Sequence, residues 1–241
     1  MGCCRSLAYA FSVAGVPSGC ELKTESLLRR APAEELHAAA PIWRDGVRVV
    51  HCVPSARALV LGSRQSGEIL DQRSVDKRGL AVVRRRSGGG AVLVDPEDSL
   101  WIDIEVGVED PRHHTDPMAM MAVVGKWWMT ALQALECCPS GIWQFEGAME
   151  CDAGGDLLCF AGRAHGELLV GQSKLVGLSQ RRTRDGARVQ GQLHFEDPTD
   201  LLLGALAAPP ASTVRRPALV EPRCRNIVAS ELHAALAAAV R

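Results

Sequence analysis

Arg84-Arg85-Arg86-Ser87-Gly88-Gly89-Gly90-Ala91-Val92 sits between two β-rich runs, Leu80 to Arg85 and Ala91 to Val94. Three consecutive glycines strip the loop of side chains, so backbone N–H groups can come close to a ligand. N–H groups gathered in a tight turn make a concave anion site. Guanidinium groups beside it grip phosphate or carboxylate in a fork. The spacing fits neither a Walker loop nor a dinucleotide fingerprint. Taken alone, the stretch fits a flexible glycine hairpin with solvated arginines equally well.

Working outward, Pro96-Glu97-Asp98 marks a turn and Leu100 to Val106 a further strand. There Trp101, Asp103 and Glu105 alternate with Ile102, Ile104 and Val106, a period of two that predicts one buried face. Strand, turn and strand together predict an antiparallel pair. Upstream, Val47 to Val53 and Ala58 to Leu61 read as strands, broken by Pro54-Ser55 and ended by Gly62. Glu21 to Arg30 reads as a helix with Leu22, Leu27 and Leu28 on one side, and a second short helix follows Pro32 through Ala39.

Downstream, Asp116-Pro117 supplies a cap and a first-turn proline. Met121, Val124, Trp128, Leu132 and Leu135 then recur at helical steps, a stripe read as core packing. Leu157 to Phe160, Leu168 to Val170, Leu175 to Leu178 and Arg188 to Phe195 are strand candidates. Asp197-Pro198 caps a short helix to Leu206. Pro209 to Pro222 is a connection, and Ala229 to Val240 a terminal helix. The pattern predicts an α+β fold: a mixed, largely antiparallel sheet with packed helices. One catalytic domain is expected over residues 21–241, with residues 1–20 as a lead-in and no separate C-terminal accessory domain.

Composition narrows the function. The chain has 241 residues, 47% of them hydrophobic, so it can build a core without disulfides or structural metals. A net charge of -1 gives no global drive toward nucleic acid or anionic membrane, and neither is expected as a partner. Nine cysteines, an odd number with no C-x-x-C pair, suit free thiols in a reducing cytoplasm. No apolar run is long enough to span a bilayer. Met1-Gly2-Cys3-Cys4-Arg5-Ser6 fits a lipidation pattern short enough to arise by chance. Leu7 to Val16 reads as lead-in rather than a signal core. The adjacent His113-His114 and Cys137-Cys138 lack ligand spacing, so no metal site is expected. Asp152 and Asp156, beside glycines, suggest a loop over the site.

A second segment carries chemistry: Gly171-Gln172-Ser173-Lys174-Leu175-Val176-Gly177-Leu178-Ser179-Gln180-Arg181-Arg182. It reads as a turn into a strand with Lys174, Val176 and Leu178 on one face and Gly177, Ser179 and Arg181 on the other. A lysine beside an acyl-phosphate neutralises charge developing on carboxylate and α-phosphate. A surface lysine on an edge strand is the more ordinary reading of this segment by itself.

The two segments in this order resemble the lipoate–protein ligase family, whose catalytic fold is shared with biotin ligases and octanoyltransferases. The resemblance runs from about Glu21 to Leu206. Glu21 to Arg30 is similar to the family's N-terminal helix, and Ala58 to Gln65 to the strand leading into its Gly-x-x-Gln turn. It implies that Gly88, Gly89 and Gly90, with Ala91, wrap an acyl-adenylate, and that Arg85 and Ser87 precede that loop. It also implies that Lys174 is the essential lysine and Arg181 the arginine that follows it. The implied activity has two steps. Lipoate and ATP, accompanied by Mg²⁺, give lipoyl-adenylate. A lysine of a lipoyl domain, on a 2-oxoacid dehydrogenase or a glycine cleavage protein, then takes the acyl group. This chain departs from the family pattern at Val94-Asp95, at Gln190-Gly191-Gln192-Leu193 and at His165-Gly166-Glu167.

Cys159, in Leu158-Cys159-Phe160-Ala161, resembles the nucleophile of the octanoyltransferases. That chemistry needs no ATP: a thiolate takes octanoyl from acyl carrier protein, and lysine attacks the thioester. A nearby Lys174 would favour the thiolate. A buried, inert thiol is an equally ordinary reading of Cys159. A third reading is a binder of acyl ligand or acceptor domain without turnover, which would tolerate loss of Lys174.

Overall fold

A computed structural model describes residues 22–39, 44–151, 154–211 and 213–241. The chain begins with strand β1 (Thr24–Ala31), helix α1 (Ala33–Ala38), and strands β2 (Val47–Pro54) and β3 (Ala58–Leu61). Helix α2 (Gln72–Lys77) follows, then β4 (Ala81–Arg84), β5 (Val92–Val94), β6 (Ser99–Gly107) and helix α3 (Pro117–Ala134). Strands β7 (Ile142–Gln144), β8 (Leu168–Val170), β9 (Ser173–Thr183) and β10 (Gly186–His194) precede helices α4 (Thr199–Leu203) and α5 (Arg225–Ala239).

Seven strands form one sheet in the order β1-β2-β6-β10-β9-β8-β7, in which only the β1–β2 pair is parallel. A second sheet has the order β4-β3-β5, parallel on one side and antiparallel on the other. The fold is α+β, mixed and largely antiparallel, with the helices packed on the sheets.

One face of the large sheet carries the main core. Ile102 and Ile104 from β6 and Val189 from β10 meet Val124, Trp128 and Leu132 of α3 and Val228, Leu232 and Leu236 of α5. Each such aliphatic side chain contributes roughly 1.5–3 kcal/mol on burial. Asp116 caps α3 by accepting the Met118 N–H at 3.0 Å. Gly191 lets the Trp128 ring lie on the sheet, because a Cβ there would sit 2.5 Å from the ring.

The opposite face carries Trp101, Asp103, Glu105, Arg188, Gln190 and Gln192, opposed in register along β6 and β10. All of these residues but Gln190, which is partly exposed, are buried. All nine residues of β6 are buried, which corrects the expectation of a single buried face. The alternation is real, but the small sheet and α1 cover its polar side. Burial of charge there requires pairing. Arg188 therefore donates to Asp103 through Nε at 2.8 Å and, from its NH2, to the Leu36 carbonyl at 2.7 Å.

Three more expectations are corrected. Residues 24–31 form an extended edge strand, parallel to β2, and not a helix. Leu27 and Leu28 are exposed there, while Glu25, Arg29 and Arg30 charge the edge, as suits an unpaired strand border. The helix in this region is α1. The strands flanking Pro96-Glu97-Asp98 do not pair with each other, for β5 pairs with β3 and β6 with β2 and β10. Asp95 makes the turn by accepting the N–H groups of Glu97 and Asp98, and the chain passes from one sheet to the other. Leu157 to Phe160 form turns, touching the small sheet by one bridge between Leu158 and Ala91. The lipidation pattern, the lead-in and Asp152 lie outside the described residues. Among the described residues no helix is long and apolar enough to cross a membrane.

Candidate active site

The glycine loop leaves β4 at its C-terminal end and is held from three sides. Arg85 is buried beneath it and donates to the Gly88 carbonyl at 2.9 Å and to the Gly90 carbonyl at 2.8 Å. Gly62 lies so close that a Cβ there would overlap the Gly89 carbonyl oxygen. Gln65, which ends the Gly62–Gln65 turn, accepts the Gly62 N–H and donates to the carbonyls of Asp156 and Leu157. Gly89 itself has φ +96°, which favours glycine. Gly90 packs on backbone, since a Cβ there would come within 2.7–2.9 Å of residues 157–159. Around Gly88 a Cβ would meet nothing within 4 Å.

Lys174 enters from β9. A bulge between β8 and β9 pairs Leu168 with Val176 but Leu169 with Lys174. The extra residue reverses the phase of the strand start. Lys174 thus shares its side with Gly177, whose Cβ would lie 3.4 Å from the lysine Cδ and 3.1 Å from the Phe160 ring. This corrects the expected grouping of Lys174 with Val176 and Leu178. Its ammonium is buried, donates to the Cys159 carbonyl at 2.6 Å, and pairs with Glu167 at 2.8 Å. Glu167 also accepts the N–H groups of Ala164 and Leu178. Burial raises the Glu167 carboxyl above its ordinary pKa, against the pull of Lys174 and the two N–H donors.

A cleft of about 230 Å³ joins these parts. Gly88, Gly89, Gly90, Lys174, Glu167 and Cys159 all line it. An inner cavity of about 30 Å³ adjoins it, sharing Cys159, Leu178 and Ser179 and lined also by Arg85, His37 and Gln190. The structure therefore brings together the glycine loop, Lys174 and Cys159. Ser87, Ala91 and Arg181 line neither space. Ser87 bonds Ser179 at 3.0 Å, fastening the loop to β9. Ala91 is a backbone link, donating to Leu157 and accepting from Cys159. Burial, with the charges of Arg86 and Arg188, lowers the pKa of Arg181. Among the described residues no cluster of three or more His, Cys, Asp or Glu assembles to hold a metal, and no disulfide links the described cysteines.

Sequence reasoning passed over Glu167 as a partner of Lys174, and His37, Ser179 and Gln190 as walls. Its one available signal was the carboxylate at the mouth of the hairpin that carries the lysine.

Residues 34–233 match the Lipoyl protein ligase A/B catalytic domain, and the chain belongs to that family. Lipoate-protein ligase A bound with ATP superposes with a TM-score of 0.64 at 17% identity, over 91% of this chain and 93% of that one. Protein Ta0514 from T. acidophilum with bound lipoic acid gives 0.62 at 16%, over 90% and 93%. A bi-partite lipoate protein ligase studied with its E2 lipoyl domain, from Thermoplasma acidophilum, gives 0.60 at 16%, over 91% and 82%. At these identities the likeness is one of fold. No curated protein matches the chain in sequence.

Proposed function

We propose that the protein is a lipoate–protein ligase. It activates lipoate, or a similar medium-chain acid, with ATP, and passes the acyl group to a lysine of a lipoyl domain. The observation that carries this reading is the one cleft that Gly88, Gly89, Gly90 and Lys174 all line. ATP and lipoic acid bound to two proteins of the same fold support it.

In the first step a carboxylate oxygen of the acid attacks the α-phosphorus of ATP. The bond to the bridging oxygen breaks, pyrophosphate leaves, and a mixed anhydride with AMP remains. Mg²⁺ arrives with ATP as part of the substrate complex. The Lys174 ammonium, aimed by Glu167, offsets negative charge as it grows on the phosphoryl and carboxyl oxygens. Loop N–H groups, freed of side chains, can approach the same anion. In the second step the neutral amine of the acceptor lysine attacks the acyl carbon. The amide forms, AMP departs with the electron pair of the C–O bond, and the amine loses a proton. The acceptor is the lipoyl domain of a 2-oxoacid dehydrogenase or a glycine cleavage protein. We take residues 21–241 as one catalytic domain, since β9 of the large sheet and the glycine loop that leaves the small sheet line one cleft, and place it in the cytoplasm on its thiol chemistry.

Cys159 supports a second reading, because it too lines the cleft. As an octanoyltransferase the protein would take octanoyl from acyl carrier protein onto the Cys159 sulfur, releasing the carrier thiol. The two readings separate in one experiment. Incubation with octanoyl carrier protein, followed by intact mass measurement, leaves a ligase unmodified and adds one octanoyl group to a transferase. A binder without turnover would form neither adenylate nor thioester.

A further inference from the structure

Strand β1 ends the large sheet, and among the described residues no strand pairs with its outer side. It runs for eight residues in unbroken register with β2 and contains no proline. The Val47 N–H donates to the Lys23 carbonyl, and the Ser55 N–H to the Ala31 carbonyl. Main-chain groups change sides at each step of a strand, so the odd-numbered residues between these two also turn theirs toward β2. The N–H and C=O groups of Thr24, Ser26, Leu28 and Arg30 therefore point outward. Side chains alternate between the faces in the same way. On one face Glu25 accepts from Arg48 at 3.0 Å, and on the other the Ser26 hydroxyl lies 3.2 Å from a ring nitrogen of His233 on α5. Glu25, Leu27 and Arg29 thus share one face, and Thr24, Ser26, Leu28 and Arg30 the other.

A straight edge with exposed leucines, Leu28 at 58%, is a template for another strand. A second copy of the same strand, laid antiparallel, fits it in one register. Opposed residues must both turn their main chain toward the partner or both away from it. With Leu27 opposite Leu27 of the second copy, that rule is met along the whole strand. Glu25 then faces the second copy's Arg29, and Arg29 its Glu25. Ser26 faces Leu28, Thr24 faces Arg30, and no like charges oppose. Centring the pair on Leu28 instead sets Glu25 against Ala31 and Leu27 against Arg29. Centring it on Ser26 sets Lys23 against Arg29. Both alternatives lose the two ion pairs. The charges that deter strands of other sequence thus select this partner and this register.

We propose that β1 is the contact between two copies of this chain, paired antiparallel about a twofold axis through Leu27, so that the large sheet runs unbroken through both. The contact does not depend on what the cleft does, since β9, which carries Lys174, stands fifth in the sheet order from β1.

Sedimentation velocity of the full chain between about 1 and 100 μM tests it, and should show a dimer that grows with concentration. Glu25→Arg and Arg29→Glu, each checked as folded by circular dichroism, place like charges across the axis twice. Each should weaken the dimer by about tenfold or more. The double reversal restores opposite charges and should restore the affinity. Leu28→Pro removes an outward N–H while sparing the ladder to β2, and should leave a monomer. Leu27→Cys should join two chains through position 27 on mild oxidation, read by mass spectrometry of the linked peptide. Opposed residues that share no hydrogen bonds have Cα atoms about 4.5 Å apart, within disulfide reach. A full chain that stays monomeric throughout overturns the proposal, whichever segment covers the edge. So does a dimer undiminished by Leu28→Pro, a double reversal no tighter than the single ones, or a Leu27→Cys dimer that does not link through that position.

Discussion

The Lys174 ammonium lies 2.8 Å from a Glu167 carboxylate oxygen, and both side chains are almost wholly buried. The pair is built into one hairpin: Glu167 stands just before β8, and Lys174 follows the turn near the start of β9. Because the carboxylate also accepts two backbone N–H groups, it is fixed before any ligand arrives and fixes the lysine in turn. Glu167→Gln keeps the shape and removes the charge. It should lower the rate of acid activation on the order of 100-fold, mainly in kcat, because the lysine is misplaced rather than removed. Steady-state exchange kinetics at several acid concentrations check the split, and a loss confined to KM would contradict a positioning role for Glu167.

Two neighbouring glycines should respond in opposite ways to alanine. At Gly90 the methyl group meets backbone of residues 157–159 within 2.9 Å, so Gly90→Ala should lower stability by about 1–3 kcal/mol. At Gly88 it meets nothing within 4 Å, so Gly88→Ala should unfold nearly as the unaltered protein does. The same methyl narrows the cleft that Gly88 lines and should raise the KM for ATP. Urea unfolding and nucleotide titration of the two variants check the contrast.

His194 is buried beside Phe160 and its pKa is lowered to about 4, chiefly by burial. The unfolded chain takes up a proton at this residue below about pH 6.5, whereas the folded chain resists it until about pH 4. The unfolded state binds more protons in that window, so this residue's contribution makes stability fall as pH falls from 6.5 to about 4. His194→Leu lacks the titration. The stability difference between the two proteins should therefore shift in the variant's favour by about 1 kcal/mol per pH unit across the window. Parallel thermal unfolding curves at several pH values measure it.

Asp103 and Arg188 form a second buried pair, and Arg188 also holds the carbonyls of Leu36 and Ala39 at the end of α1. Asp103→Ala strands a guanidinium inside the protein and should cost about 3–5 kcal/mol. Replacing both residues by apolar ones of similar volume should cost much less. Chemical denaturation of the single and double variants separates the loss of the pair from the burial of an orphaned charge.

Much of this was legible in the sequence. The strands over Ala58 to Leu61 and Leu168 to Val170, and the capped helix at Asp116, follow from local pattern, because their partners are held by short-range rules of alternation and capping. The glycine loop and Lys174 are paired only by the family resemblance, because each segment read alone fits an ordinary solvated hairpin or edge strand. What escaped depends on contacts distant in sequence. Residues 24–31 resemble a helix until β2 offers a parallel edge. The phase of Lys174 is set by a bulge against Leu168 and Leu169, which no spacing in β9 records. The buried polar face of β6 looks solvated until α1 and the small sheet cover it. His37 shares a wall with Arg85 and Gln190 only through the packing of α1, and so carried no local sign.

The central claim is that Lys174 faces the glycine loop across a reaction that joins a carboxylic acid to ATP. Lipoate-dependent exchange of labelled pyrophosphate into ATP measures that step alone, without any acceptor protein. The unaltered protein should show exchange that requires the acid, and Lys174→Ala, still folded by circular dichroism, should show none. Exchange that continues in Lys174→Ala, or that is absent from the unaltered protein, would contradict the account.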